Sequence, residues 1–127
     1  MPSILLIEDD DSFRETLAAM LIEHGYDVIQ APDGETGAKL FRAAPADLVI
    51  TDIVMPNKEG VAIVMELRHD FPKLGIIAIS GGGITRNAAT YLKLAQALGA
   101  SHTLKKPFEP SALLAAIEEV LWPGPKG

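Results

Sequence analysis

Short runs of apolar residues alternate along this chain with longer stretches in which apolar positions recur at helical spacing. Ile4-Leu5-Leu6-Ile7, Leu48-Val49-Ile50 and Ile76-Ile77-Ala78-Ile79 are apolar without a polar break. Such a run predicts a strand buried on both faces. Tyr26 to Gln30 and Ser101 to Lys105 read as two further strands, and the run around Ile76 extends from Leu74 to Ser80. Between the strands the period changes. Phe13, Leu17, Met20 and Leu21 fall at i, i+4, i+7 and i+8, a helical stripe. Ser12 and Glu15 have the spacing of a capping box, and His24-Gly25 closes the helix. Asp33-Gly34 starts a second helix, with Leu40 and Phe41 facing inward and Pro45 stopping it. A third runs from about Lys58 to His69 on Val61, Val64, Met65 and Leu67. Tyr91, Leu94, Ala95 and Leu98 mark a fourth, ended by Gly99. The last starts at Pro110 and carries Leu113, Leu114, Ile117, Val120 and Leu121.

Five strands alternating with five helices predict an α/β fold, a doubly wound parallel sheet covered on both faces. The expected strand order is 2-1-3-4-5, the flavodoxin-like arrangement. Strands one and three are then neighbours, and the order reverses between them. Ligands bind at such a switch point, beyond the carboxyl ends of the strands. Strand one runs into Glu8-Asp9-Asp10-Asp11 and strand three into Asp52, so Glu8, Asp9 and Asp52 should converge.

Composition narrows the class. At 127 residues the chain suits one domain, expected over residues 1–122, with the Pro/Gly-rich residues 123–127 as a tail or linker. The formal net charge of −6 argues against direct nucleic-acid binding by this segment. Cysteine is absent, which excludes disulfides and thiolate metal sites and fits a cytoplasmic setting. The first apolar run stops at Glu8, too short for a signal peptide or a membrane span.

Three carboxylates in one crevice repel each other unless a proton or a cation intervenes. All-oxygen ligands at the mouth of a cleft suit Mg²⁺. Ser80 ends strand four, beside strand three, within reach of a group attached to Asp52. Lys106 follows strand five, where its ammonium would neutralise anionic charge as phosphoryl transfer requires. Asp10 and Asp11 fit a solvated helix start. Lys105, His24, His69 and His102 read as surface residues, and Trp122 as a terminal packing residue.

Taken together, Ile7-Glu8-Asp9-Asp10, Asp52 with Met55-Pro56 and Gly60, Ser80-Gly81, and Lys106-Pro107-Phe108 resemble a response-regulator receiver domain of two-component signalling. The resemblance covers essentially the whole chain. It implies that Asp52 accepts a phosphoryl group from a sensor histidine kinase, a phosphotransfer protein or a small phosphodonor. It further implies that Asp9 binds Mg²⁺ directly, that Glu8 assists through water, and that the backbone carbonyl of Val54 is a third ligand. Ser80 would be the switch hydroxyl and Lys106 the contact to the phosphoryl oxygens. The Lys106-Pro107 peptide would be cis. Phosphorylation would bias the face formed by the fourth helix, fifth strand and fifth helix, for a downstream effector protein or domain or for a homodimer. Such a domain is no enzyme with a separate substrate: it catalyses its own phosphorylation and dephosphorylation.

The sequence departs from that pattern in places. Thr103 stands where the family often has an aromatic that toggles with the switch hydroxyl. Val54 and Gly82 replace polar groups that orient hydrolytic water, which predicts slow autodephosphorylation. The stretch from Ser80 to Lys106 is long and opens on Gly81-Gly82-Gly83, which predicts a mobile loop and an atypical fourth helix. A degenerate receiver that binds partners without phosphate is the alternative. An aspartyl phosphatase would need a second acid at Val54, and an FMN protein would not place acids against the FMN phosphate.

Overall fold

A computed structural model of the chain describes residues 2–53, 60–80, 93, 96–97 and 99–122. Its elements are β1 (Ser3–Ile7), α1 (Asp11–Glu23), β2 (Asp27–Ala31), α2 (Gly34–Ala43), β3 (Leu48–Asp52), α3 (Gly60–Asp70), β4 (Gly75–Ser80), β5 (His102–Lys105) and α4 (Pro110–Leu121). The five strands form one parallel sheet in the order β2-β1-β3-β4-β5, as expected. Four helices are described. Lys93, Gln96 and Ala97 are also helical. Tyr91, Leu94, Ala95 and Leu98, on which a further helix is expected, lie outside the described residues, as do Lys58 and Gly81-Gly82-Gly83, where a mobile loop is expected.

Alternation along the strands divides the core. Leu5, Ile7, Val49, Ile76 and Ala78 face α2 and α3, where Phe41, Ile63, Val64 and Leu67 meet them. Ile4, Leu6, Leu48, Ile50, Ile77 and Ile79 face α1 and α4, against Leu17, Leu21, Leu113 and Ile117. Successive strand residues point to opposite faces, so an unbroken apolar run supplies both layers at once.

Local chemistry sets the ends of the helices. Asp10, not Ser12, caps α1: its side chain accepts from the Phe13 amide at 3.0 Å. The predicted Ser12/Glu15 capping box therefore does not form, because the helix starts earlier, at Asp11. Asp33 caps α2 by accepting from the Thr36 amide at 2.7 Å. At the end of α1, Gly25 takes φ +93°. The Gly25 amide then donates to Ile22 and the Tyr26 amide to Leu21, a Schellman motif that glycine permits.

Two predicted core positions turn outward. Leu40 is at the exposed margin and Met65 is exposed, while Phe41 and Ile63 take the inward places. The side chain of Val61 lies outside the described residues. Trp122 packs as expected, stacked on Tyr26 with ring centroids 6.4 Å apart. His102 is only part-exposed and contacts Glu119 at 3.0 Å.

Gly75, at the start of β4, lies directly against Val120 of α4. A Cβ there would lie 2.1 Å from Val120 Cγ1 and 3.2 Å from Leu48 Cδ1. Val120 is β-branched and cannot swing aside freely. Gly75→Ala is expected to destabilise the fold by about 1–3 kcal/mol. An unchanged urea midpoint would contradict this close packing.

Candidate functional site

Four strand ends build the site. β1 and β3 are adjacent, with Ile7 opposite Thr51. The next residues, Glu8 and Asp52, therefore emerge side by side. Glu8 keeps to the ladder, its amide donating to Ala31 at 3.0 Å. Ser80 ends β4 on the other side of β3 and is fully buried. Lys106 follows β5, its amide donating to the Ser80 carbonyl at 2.9 Å.

Glu8 and Asp52 are buried acids, 2% and 5% exposed, and Asp9 is exposed. One carboxylate oxygen from each of the three lies within 4.8 Å of the others. The Lys106 ammonium donates to Glu8 Oε1 at 2.6 Å and to Asp52 Oδ2 at 3.3 Å. Glu8 Oε2 accepts from the Asp10 amide at 3.0 Å. Lys105, by contrast, is exposed, as expected. The Lys106-Pro107 peptide is cis.

Titration follows from this crowding. Burial pushes the Glu8 carboxyl up to about 7, partly offset by its hydrogen bonds from Lys106 and the Asp10 amide, with the Asp52 charge adding to the rise. For Lys106, burial works against the charged form. The Glu8 and Asp52 carboxylates outweigh it and hold the ammonium above the usual lysine range.

Predicted site residues Glu8, Asp9, Asp52 and Lys106 are thus gathered at one rim, with Ser80 ending the neighbouring strand. Val54 and Gly82 lie outside the described residues. Thr103 is half-buried on β5, opposite Ala78. Two residues near the crevice escaped the sequence reading. Arg14 Nη1 donates to the Glu8 carbonyl at 2.8 Å and reaches Asp11 at the same distance, pinning the acidic turn. Phe13 reads in sequence as core, yet its ring lies under the Lys106 ammonium. The available signal was position: both sit on the first turn of the helix that follows the acids.

The donor set suits a hard divalent cation. Oxygens around octahedral Mg²⁺ at about 2.1 Å lie roughly 3–4 Å apart, so the 4.8 Å cluster needs little closure. Three carboxylates against one ammonium leave the crevice anionic when all are ionised.

Residues 4–118 match the family described as the response regulator receiver domain. The chain belongs to that family. Receiver domains are modules of two-component response regulators, and this one has curated relatives among transcriptional regulators. It is 38% identical over 120 residues to "Probable transcriptional regulator ycf27" of Porphyridium aerugineum, covering 93% of this chain and 47% of that protein. It is 35% identical over 121 residues to "Transcriptional regulatory protein AfsQ1" of Streptomyces coelicolor, covering 95% and 52%. The receiver thus spans about half the length of these relatives. Among solved structures it is similar to a response regulator receiver domain protein from Clostridium thermocellum, at TM-score 0.87, 28% identity and coverage of 95% and 94%. It is likewise similar to chemotaxis protein CheY4 of Vibrio cholerae, at TM-score 0.83, 28% identity and coverage of 95% and 99%. No helix among the described residues of the receiver is long and apolar enough to cross a membrane.

Proposed function

We propose that Asp52 is the phosphoacceptor of this receiver, in a Mg²⁺-dependent reaction. The observation that carries this reading is the environment of Asp52. It is a buried carboxylate at a strand end, with a lysine ammonium at 3.3 Å and two further carboxylates clustered beside it. A buried acid in such company is costly for stability alone, and neighbours shifted as Glu8 and Lys106 are gather at functional sites.

An Asp52 oxygen attacks the phosphorus of a phosphohistidine or of a small phosphodonor. A new O–P bond forms as the P–N or P–O bond to the leaving group breaks, and the leaving group departs with the electron pair and is protonated by solvent. Lys106 donates to the phosphoryl oxygens, and the Ser80 hydroxyl closes on the product. Asp9 and Asp52, with the Val54 carbonyl, would hold Mg²⁺, and Glu8 would do so through water. When bound, the metal neutralises charge that builds on the transferring group. Residues 1–122 form the receiver unit in this reading. A histidine kinase or phosphotransfer protein supplies the phosphoryl group, and an effector or a second receiver reads the altered face of the expected helix before β5, β5 itself and α4.

Incubation with Mg²⁺ and acetyl phosphate tests this. Intact-mass analysis should show one added phosphoryl group, labile to hydroxylamine and absent when EDTA is present. A mass unchanged under every condition would leave only a binding module.

A further inference from the structure

Two carboxylates bond the Lys106 ammonium, but a third group also touches it. Lys106 Nζ lies 4.2 Å from the centroid of the Phe13 ring. Phe13 in turn meets Phe108 edge to face, with centroids 6.1 Å apart and planes at 86°. One ring comes from the first turn of α1 and the other from two residues beyond Lys106. Both rings pack against the α1/α4 layer of the core, so they lie together on one face of the sheet beside the crevice.

We propose that Phe13 is a positioning residue for Lys106, its ring face braced by Phe108 and holding the ammonium over the crevice between Glu8 and Asp52. In its kinetic consequences this inference rests on Asp52 as phosphoacceptor. The physical case does not. A lysine ends a flexible four-carbon stem and wanders unless something fixes its tip. An aromatic face attracts a cation, more strongly where water is thinned out, and the Lys106 side chain is only 20% exposed. Unlike a third acid, a ring does not neutralise the ammonium or claim one of its three protons with a lone pair. Glu8 and Asp52 accept hydrogen bonds from the ammonium, and the cation keeps its charge for an incoming phosphoryl oxygen. Phe13 also packs partly against the α1/α4 core, so its plain alternative role is filler.

Two variants separate the roles. Phe13→Leu keeps apolar bulk and removes the ring face, whereas Phe13→Tyr keeps the face. In the wild type, the Lys106 Cε protons should show an upfield ring-current shift by NMR, lost in the leucine variant and kept in the tyrosine variant. At saturating acetyl phosphate and Mg²⁺, Phe13→Leu should slow phosphorylation about three- to ten-fold, and Phe13→Tyr should restore it to within about two-fold. The concentration of acetyl phosphate giving half-maximal rate should change little. Lys106 Cε protons at their random-coil shift in the wild type, or equal rates for the leucine and tyrosine variants, would overturn the proposal. If the wild type takes up no phosphate, the assignment of Asp52 fails, and the Lys106 shifts alone decide the role of Phe13.

Discussion

Asp52→Asn should erase phosphate uptake completely, whereas Lys106→Met should slow it by about 10²–10³-fold. The two changes should move Mg²⁺ binding in opposite directions. Asparagine keeps the shape of aspartate, so the buried strand end of β3 survives, but the nucleophilic oxygen is gone. It also removes one of three clustered carboxylates, so Mg²⁺ binds more weakly. Methionine keeps most of the length of lysine but has no charge. The ammonium now sits between Glu8 and Asp52, as a metal would, and competes with it. Removing it leaves the crevice more anionic, and Mg²⁺ binds more tightly even as transfer slows. Calorimetric titration with Mg²⁺, alongside the mass assay, checks both. Tighter binding in Asp52→Asn, or weaker binding in Lys106→Met, would contradict the electrostatic picture of the site.

Mg²⁺ affinity should also fall steeply below neutral pH. Glu8 is lifted from 4.5 to about 7, first by burial. A protonated Glu8 must ionise before the cluster carries its full charge. Apparent affinity is therefore expected to drop by up to about ten-fold for each pH unit below 7 and to level off above it. The same shift acts on stability without metal. Between pH 4.5 and 7 the folded protein holds a proton that the unfolded chain has released. Stability thus falls as pH rises through that window, by on the order of 3 kcal/mol, and is insensitive to Glu8 below it. Glu8→Gln should flatten both profiles. An Mg²⁺ affinity that stays constant between pH 5.5 and 7.5 would rule out this role for Glu8.

The sheet was legible because its signal is simple. Ile4 to Ile7 and Ile76 to Ile79 are apolar throughout, and short isoleucine-rich runs of that length bounded by polar residues suit a strand buried on both faces. Strand order then placed Glu8 and Asp52 side by side without any knowledge of side-chain positions. Finer detail was less legible, for physical reasons. Asp10, Asp11 and Ser12 are all good caps, and sequence alone does not say which amide lacks a partner. Leu40 and Met65 are apolar by type but turn outward, because inward position depends on helical phase and not on residue type. Arg14 acts through the backbone carbonyl of Glu8 on the preceding turn, which no side-chain pattern announces, and Phe13 through a residue distant in sequence. A stripe rule assigns Phe13 to the core, and its second contact, with Lys106, appears only once β5 is placed beside β4.

The stacked pair at the opposite end of the sheet offers a practical handle. Trp122 is the chain's sole tryptophan, lies 58% exposed on Tyr26, and borders a groove of about 910 Å³ with Pro2, Gly75 and Ser101, all at strand beginnings. Emission excited selectively from indole therefore originates at one known spot, remote from the acids. Any brightening or quenching that accompanies phosphorylation of Asp52 would report a disturbance carried from the acidic rim to the far end of the sheet, with no label attached.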